Sequence, residues 1–377
     1  MTIVYILGGL LGLLLATGLT PLVKKFAIKV GAVDVPNARK VHTRIMPRMG
    51  GLAIYGAFLL TLIGMMLIIP DTLFGTTRDA NLVKSLLVGG SVIVLIGALD
   101  DRFELSAKVK LLGQIVAASV VVFGFDMTVN FINVPFGDHY LFINDWIAIP
   151  LTIFWIVGVT NAINLIDGLD GLAAGVSAIS IATLLVMAII MGNPVVILLC
   201  ALLLGSIIGF LFFNFYPARI FMGDTGSLFL GFSLAVLSML GFKQVAIVSF
   251  ITPLLIIGVP LSDTFFAIIR RWLQKKPIFA PDKGHLHHCL QQLGFSHRKT
   301  VLIIYGIASF FGLLAIIQSI ATSHDANWVT FVVICILIVS LQLGAEVIGI
   351  VSKTKRPMLN MLHRLRVKVQ ADNSRSR

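Results

Sequence analysis

Long apolar runs alternate with short polar segments along almost the whole chain. A helix needs about 20 consecutive, mostly apolar residues to cross the hydrocarbon core of a bilayer. Eleven runs approach this length, at about residues 3–22, 50–69, 82–99, 109–125, 146–160, 171–191, 195–213, 226–242, 245–269, 301–320 and 328–350. The pattern therefore predicts an all-α polytopic membrane protein with about 11 transmembrane helices.

Residues 127–144 depart from this pattern, because apolar and polar positions alternate there around a Pro-Phe-Gly-Asp sequence at 135–138. Alternation with a period of two on either side of a turn is typical of a β-hairpin. We expect one small hairpin here, on the outer surface of the membrane.

The composition excludes a soluble enzyme. Hydrophobic residues make up 58% of the chain and charged residues 12%, against about 45–50% and about 25% in soluble domains. Inside loops of membrane proteins carry an excess of Lys and Arg. With the N-terminus outside and the C-terminus inside, the inside segments hold 26 of the 29 Lys and Arg residues when Lys110, at the inner end of the fourth span, is counted with them. The net charge of +12 thus reports topology, and we expect no nucleic acid partner.

This orientation gives a single transmembrane domain over residues 1–350 and a basic cytoplasmic tail over 351–377. The cations of the tail would attract the anionic lipids of the bilayer. We expect five inside loops to form one site, at residues 23–49, 100–108, 161–170, 214–225 and 270–300.

Two adjacent carboxylates, Asp100 and Asp101, end the third predicted span. Carboxylates at this depth are costly unless they are solvated or paired. They either serve a site or form a solvated helix end that pairs with Lys108 or Lys110.

Oxygen-bearing side chains recur every three residues in the next polar segment, at Asn161, Asn164, Asp167 and Asp170. Glycine follows both aspartates, so the backbone can approach a ligand closely. No Lys or Arg is near to neutralise the carboxylates, and we expect a cation or a polar ligand here.

Asp224 lies between two glycines just before the eighth predicted span. Asp224 or Thr225 could cap that helix. A carboxylate at a helix N-terminus also suits a site for a metal ion and a phosphate.

His285, His287 and His288 lie in the last inside loop among many basic residues. A structural zinc site is disfavoured, because consecutive side chains cannot all reach one ion and no second pair of cysteines exists. Imidazoles that face a phosphate or a base fit better. Asp263, in the ninth predicted span, either pairs with a basic residue or supports the site.

These groups together favour one kind of chemistry. Hard oxygen ligands indicate Mg²⁺, or Mn²⁺ in its place, and Mg²⁺ usually completes its shell with substrate phosphates and water. A cationic field beside the ion suits a diphosphate substrate, and a site at the membrane boundary suits a lipid as the second substrate. A secondary transporter is the alternative from another class, although transporters place such groups near the midplane.

Five ordered motifs also carry a resemblance to a known family. They are the string with Asp34, Asn37, Arg39, Lys40 and His42 that precedes Pro47, Gly50 and Gly51, the string at 100–110, the segments 161–171 and 221–227, and the histidine loop. Over nearly its whole length the chain resembles the polyprenyl-phosphate N-acetylhexosamine-1-phosphate transferases, the superfamily of MraY and WecA. The first string and the His-x-His-His loop are similar to the WecA and TagO branch.

The resemblance implies transfer of GlcNAc-1-phosphate from UDP-GlcNAc to undecaprenyl phosphate, which gives undecaprenyl-diphosphate-GlcNAc and UMP. It implies a multi-pass protein of the inner or plasma membrane with a cytoplasmic active site. The reaction would begin a cell-envelope polymer, namely wall teichoic acid, O-antigen or common antigen. The alternative donors are another UDP-N-acetylhexosamine and UDP-MurNAc-pentapeptide. Homodimers are common in the superfamily, so a homodimer is also expected as an alternative to a monomer.

The resemblance also implies roles for individual residues. Asp224 would bind Mg²⁺, and Asp100, supported by Asp101, would deprotonate or position the lipid phosphate. Asp167 and His287 are the further catalytic candidates. The substrate-binding candidates are Lys110, Asn161, Asn164, Gly168, Leu169, Asp170, Phe221, His285, His288, Lys40 and His42.

Two features bear on the substrates. Cys289 stands where this branch usually has an arginine, so a cation that could influence affinity or sugar preference is missing. Pro253 and Pro260 are expected to kink the ninth span and open a groove for the lipid.

Overall fold

The computed structural model describes residues 2–35, 45–129, 131–133, 140–239, 251–277, 284–324 and 326–348. Within these residues the chain is mostly helical, and nine of the described helices are long and apolar enough to cross a membrane. The prediction of an all-α polytopic membrane protein is confirmed.

The helices follow one another with short connections. They are α1 (Thr2–Val30), α2 (Gly51–Ile68), α3 (Pro70–Phe74), α4 (Thr77–Phe103), α5 (Ala107–Ser119) with a π-helical turn (Val120–Gly124), α6 (Asp145–Leu165), α7 (Leu172–Ile190), α8 (Pro194–Asn214), α9 (Gly223–Met239), α10 (Ile251–Ile256), α11 (Gly258–Leu273), α12 (Leu286–Gln292), α13 (His297–Ser323) and α14 (Asn327–Ile348).

Two short antiparallel strand pairs accompany the helices. β1 (Val33–Asp34) pairs with β2 (Met46–Pro47), and β3 (Phe131–Asn133) pairs with β4 (Tyr140–Phe142). The second pair is the hairpin predicted near residues 127–144, and the connection between its strands lies outside the described residues. The first pair escaped prediction because two residues per strand are too few to show an alternating pattern.

Nine of the eleven predicted spans correspond to the nine helices that could cross a membrane. The eighth predicted span, at 226–242, is α9, an apolar helix of 17 residues. The ninth, at 245–269, falls on α10 and α11, and its first residues lie outside the described part of the chain.

The helix predicted to kink at two prolines is interrupted at Ile257, where φ is −108° and ψ is 24°. Pro260 has no N–H to donate to the carbonyl oxygen of Ile256, four residues earlier. The hydroxyl of Ser180 on α7 donates a 2.8 Å hydrogen bond to that carbonyl instead. Such a substitute partner is needed where no water is present. The groove for a lipid beside this break stays a prediction.

α9 is the central helix of the bundle. Every residue from Thr225 to Ser238 is buried, and α2, α4, α6 and α7 pack around it. A helix that is apolar on all faces is typical of complete burial. The N-terminus of α9 is therefore surrounded by the ends of neighbouring helices.

The helices run in alternating directions, so one end of the bundle collects the C-terminal ends of α4 and α6 and the N-terminal ends of α5, α7 and α9. Hydrogen bonds between these ends, described below, join them directly. We call this end of the bundle the site end.

Several predicted loop boundaries were wrong. α4 continues to Phe103, so Asp100 and Asp101 lie in its last turn and not in a loop at 100–108. In the same way α1, α6 and α9 extend into the predicted loops 23–49, 161–170 and 214–225, and α12 lies within 270–300. Hydropathy marks only the apolar length of a helix, whereas backbone hydrogen bonding continues into the polar region.

α1 and α8 approach each other closely through glycines. A Cβ atom on Gly205 would overlap the carbonyl oxygen of Gly9, and one on Gly209 would overlap that of Leu13. Small residues at such a contact let two membrane helices pack backbone to backbone.

We expect Gly205→Ala to destabilise the protein by about 1–3 kcal/mol, because the new methyl group meets rigid backbone. Gly158→Ala on α6 is the control, since no atom lies within 4 Å of the position of its Cβ. Thermal unfolding in detergent measures both. Equal midpoints for the two variants would contradict this account of the α1–α8 contact.

Candidate active site

Asp101 joins the end of α4 to the start of α9. Its Oδ1 accepts a hydrogen bond from the backbone N–H of Asp224 (2.9 Å), and its Oδ2 accepts from the N–H (3.0 Å) and the hydroxyl (2.5 Å) of Thr225. The first N–H groups of a helix lack partners within the helix, and a carboxylate there also complements the helix dipole. Asp101 therefore caps α9 from another helix, and Asp224 and Thr225 are the capped residues.

Gly223 permits this contact. Its φ of +71° lies in the left-handed region that favours glycine. A Cβ atom at this position would also overlap the carboxylate of Asp101. Two independent constraints thus require glycine directly before Asp224.

Lys110 bridges two carboxylates at the site end. Its Nζ lies 3.3 Å from Oδ2 of Asp100 and 3.0 Å from Oδ2 of Asp224. Asp100 is buried, and its Oδ1 has no hydrogen-bond partner among the described residues. The side chain of Asp224 is 23% exposed. The pairing of Asp100 with Lys110 matches one of the sequence alternatives, but the carboxylates of Asp100 and Asp101 are buried and do not form a solvated helix end.

The amides of α6 contact neighbouring helices. Asn161 and Gln114 of α5 exchange two hydrogen bonds, of 2.5 and 3.2 Å. Asn164 donates a 2.8 Å hydrogen bond to the hydroxyl of Ser227 on α9. The sequence did not single out Gln114 or Ser227. The available signal was position, since Gln114 follows Lys110 by one helical turn and so shares its helix face.

Asp167 lies in the connection between α6 and α7. Burial, together with the negative charges of Asp224, Asp101 and Asp170, raises the pKa of Asp167 to about 8. The site end therefore holds more negative charge than Lys110 alone balances.

The same connection is tied to the segment between α8 and α9. Oδ2 of Asp170 accepts a 2.9 Å hydrogen bond from the N–H of Ala218, and the N–H of Gly171 donates to Oδ1 of Asn214 (3.2 Å). The hydroxyl of Tyr305 on α13 donates to the carbonyl of Gly171 (2.5 Å). Leu169, one of the substrate-binding candidates, is buried within this connection.

Phe221 belongs to a segment that is held by β2 and the start of α2. Its N–H donates to the carbonyl of Pro47 (2.9 Å), and its carbonyl accepts from the N–H of Gly50 (3.0 Å). The carbonyl of Met222 accepts from Gly51 (2.9 Å). The motif residues Pro47, Gly50 and Gly51 thus fix the backbone that leads into Asp224.

The histidine loop reaches the site end through α12. The rings of His285 and His287 are nearly parallel with centroids 5.9 Å apart, and the ring of His288 lies 4.2 Å from that of His287. Nδ1 of His285 lies 2.9 Å from Oδ2 of Asp263. The sequence left two alternatives for Asp263, pairing with a basic residue or support of the site. The structure shows a contact with His285 of the histidine loop, which fits the second alternative.

His287 lies close to Gly168, one of the substrate-binding candidates. A Cβ atom on Gly168 would lie 2.7 Å from Nε2 of His287, so glycine is needed for this approach. Burial, followed by the charge of the neighbouring His288, lowers the pKa of His287 to about 4. His287 is therefore neutral at physiological pH and can act as a hydrogen-bonding group without carrying charge.

The first motif string is only partly described. The guanidinium of Arg48 lies 2.7 Å from Oδ1 of Asp34 and 3.9 Å from Oε1 of Glu104, which places β1 beside the end of α4. The candidates Lys40 and His42 lie outside the described residues, so their part in the site stays a prediction.

The donor set at the site end fits a hard divalent cation. Within the described ranges no group of three or more His, Cys, Asp and Glu side chains is arranged as a complete metal site. Mg²⁺ needs only one or two protein carboxylates when substrate phosphates supply the rest. The partly exposed Asp224, the unpartnered Oδ1 of buried Asp100 and the excess negative charge fit such an ion.

The fold and the site define a polytopic membrane protein with a carboxylate-rich site at one end of its helix bundle. Residues 83–242 match the family described as glycosyl transferase family 4. The chain is 48% identical over 350 residues to the probable undecaprenyl-phosphate N-acetylglucosaminyl 1-phosphate transferase of Bacillus subtilis (strain 168), covering 92% of this chain and 93% of that protein.

Two further relatives agree. The decaprenyl-phosphate N-acetylglucosaminephosphotransferase of Mycobacterium tuberculosis (strain ATCC 25618 / H37Rv) is 36% identical over 315 residues, 76% of each chain. The undecaprenyl-phosphate alpha-N-acetylglucosaminyl 1-phosphate transferase of Escherichia coli (strain K12) is 29% identical over 316 residues, 82% of each chain. The chain belongs to glycosyl transferase family 4, and the resemblance to polyprenyl-phosphate N-acetylhexosamine-1-phosphate transferases is confirmed.

Replacing Asp101 with alanine removes the acceptor for three donors at the start of α9. We expect the free energy of unfolding to fall by about 1–3 kcal/mol, the cost of leaving buried donors unpaired. Asp224→Ala removes a partly exposed carboxylate and should cost less than Asp101→Ala. Thermal unfolding of both variants measures the difference, and the reverse order would contradict the capping role of Asp101.

The lowered pKa of His287 makes stability depend on pH. The unfolded chain titrates near 6.5 and the folded chain near 4 at this residue, so the unfolded state binds more protons between these values. Stability should fall as pH decreases from about 6.5 toward 4. His287→Gln should make the fall shallower in thermal unfolding measured across this range. An unchanged slope would show that other groups cause the acid sensitivity.

Proposed function

We propose that this protein transfers GlcNAc-1-phosphate from UDP-GlcNAc to undecaprenyl phosphate, producing undecaprenyl-diphosphate-GlcNAc and UMP. The observation that carries the proposal is the cluster of Asp100, Lys110 and Asp224, in which one lysine bridges two carboxylates at the end of a membrane helix bundle. The names of the three relatives above, each an N-acetylglucosamine phosphate transferase acting on a polyprenyl phosphate, support the reaction and the sugar.

We assign Mg²⁺ to this cluster, with Mn²⁺ as a substitute, and Asp224 as its protein ligand. When held by Asp224, the ion would offset the negative charge that develops on the diphosphate during transfer. The hydrogen bond from the backbone N–H of Asp224 to Asp101 supports this assignment, because it fixes the position of Asp224 without a bound ligand.

Asp100 and Lys110 act on the phosphates. Asp100 accepts a proton from the lipid phosphate or orients it, and Lys110 attracts the negative substrate into the site. An oxygen of the lipid phosphate forms a bond to the phosphorus that carries the sugar, and the bond from that phosphorus to the oxygen of the UMP leaving group breaks. Direct attack suits this site, since phosphoryl transfer depends mainly on positioning and charge stabilisation.

The nucleotide lies against the α6–α7 connection and the α8–α9 connection. Gly168, Leu169 and Asp170 border the base, and Phe221 stacks on it. Their supporting hydrogen bonds, from Asp170 to Ala218 and from Phe221 to Pro47, keep this surface rigid. The neutral ring of His287, with His285 and His288 beside it, contributes hydrogen bonds toward the phosphates.

We place the site on the cytoplasmic face of the plasma membrane, because 26 of 29 Lys and Arg residues fall on that side in the predicted topology. The lipid product would enter a cell-envelope polymer such as wall teichoic acid, O-antigen or common antigen. Family membership disfavours the transporter alternative. Another UDP-N-acetylhexosamine and UDP-MurNAc-pentapeptide are the donors against which UDP-GlcNAc is to be compared.

Purified protein with undecaprenyl phosphate, UDP-GlcNAc and Mg²⁺ should release UMP and form a lipid diphosphate sugar detectable by mass spectrometry. Asp100→Asn and Asp224→Asn should each lower the rate by roughly 100-fold or more, because the first removes the proton acceptor and the second removes the ligand of the assigned ion. Asp71→Asn, at an exposed position of α3 away from the site end, is the matched control and should leave the rate unchanged.

Two outcomes would change the proposal. Turnover with a different UDP-sugar alone would keep the reaction and replace the donor. Absence of turnover with every UDP-sugar, by protein that unfolds with a sharp thermal transition, would refute the transferase activity.

A further inference from the structure

We propose that Asp263 is a positioning residue that holds the histidine loop in its working geometry and fixes which nitrogen of His285 carries the proton. The inference rests on the proposed function, because it concerns the loop that we place beside the substrate phosphates. Asp263 lies on α11, outside all of the motifs that carry the family resemblance.

Both oxygens of the Asp263 carboxylate contact the start of α12. Oδ2 lies 2.9 Å from Nδ1 of His285, and Oδ1 accepts a 2.8 Å hydrogen bond from the backbone N–H of Leu286. Asp263 is 3% exposed and His285 6% exposed. A carboxylate buried to this degree is costly unless it is hydrogen-bonded, so the two contacts explain how Asp263 is tolerated in an apolar helix.

The contact with His285 selects a tautomer. An ionised carboxylate only accepts hydrogen bonds, so Nδ1 of His285 must be the donor. In the neutral ring Nε2 is then left as an acceptor, because a neutral imidazole carries one proton. A substrate hydroxyl or a protonated phosphate is the kind of group that such an acceptor would bind.

The contact with Leu286 fixes the start of α12. This helix has only seven residues, and its N-cap residue, His285, makes no capping hydrogen bond with its own side chain. Short helices are unstable on their own, because nucleation costs more than a few hydrogen bonds return. Asp263 supplies the missing acceptor from α11, and α12 thereby acquires a fixed orientation.

The orientation of α12 sets the position of His287 at the site end. His287 lies one residue beyond Leu286, is 3% exposed, and has its ring nearly parallel to that of His285. Its Nε2 reaches so close to Gly168 that a side chain there would not fit. A shift at the start of α12 would therefore displace His287 from the connection that carries Asp167.

Asp263→Asn separates the two contacts. Asparagine caps a helix about as well as aspartate, so its side-chain oxygen can still accept from Leu286. Its amide nitrogen would instead donate to Nδ1 of His285, which forces the proton onto Nε2. We expect an unchanged thermal midpoint and a loss of activity of about 10–100-fold, the range seen when a group that orients a functional histidine is replaced.

The tautomer itself is observable without substrate. Magic-angle-spinning NMR of ¹⁵N-histidine-labelled protein in lipid bilayers distinguishes a protonated Nδ1 from a protonated Nε2, and the His285→Gln variant identifies the signal among the 8 histidines. We expect His285 to be protonated on Nδ1 in the natural protein and in Asp263→Glu, and on Nε2 in Asp263→Asn.

Ser262→Ala is the matched control, because among the residues that the structure describes the hydroxyl of Ser262 bonds within α11, to the carbonyl of Val259. It should change neither the tautomer nor the rate. A wild-type rate in Asp263→Asn, or a proton on Nε2 of His285 in the natural protein, would overturn the proposal. If the natural protein turns over no UDP-sugar, the proposed function fails, whereas the NMR result still decides the role of Asp263.

Discussion

The hydrogen bonds from the start of α9 to the carboxylate of Asp101 are the contact on which the rest of the site depends. They anchor the central helix of the bundle to the end of α4 and place the backbone of Asp224 within 2.9 Å of Asp101. Because α9 is buried on all sides, its first backbone N–H groups cannot form hydrogen bonds to water. They need an acceptor from the protein. The hydrogen bonds to the carboxylate of Asp101 supply that acceptor and offset the cost of burying the carboxylate.

The same arrangement creates the electrostatic character of the site end. Asp100, Asp101, Asp167, Asp170 and Asp224 meet where Lys110 bridges two of them. Burial, followed by repulsion from the neighbouring carboxylates, raises the pKa of Asp167 to about 8. The repulsion is a cost to the folded protein that a divalent cation and the lysine would relieve together. The protein thus keeps a destabilised cluster at the position where we propose that a charged substrate binds.

The sequence allowed the all-α fold, most of the spans and the hairpin to be predicted, because apolar length and alternation are local properties. It also identified Asp100, Asp224 and the histidine loop as neighbours through their positions on one predicted face. It failed at helix ends, since Asn161 and Asn164 lie within α6 and not in a loop. It also missed Gln114 and Ser227, because the role of each depends on its hydrogen-bond partner across a helix interface.

What the sequence determined alone was the class of structure and the kinds of side chain available for chemistry. The tertiary structure decided which partner each carboxylate contacts. Asp100 and Asp101 are adjacent and chemically identical, yet one pairs with Lys110 and the other caps α9. Asp263 could have met a basic residue but meets His285. Successive residues on a helix point in directions about 100° apart, so their partners are set by packing between helices that are distant in sequence.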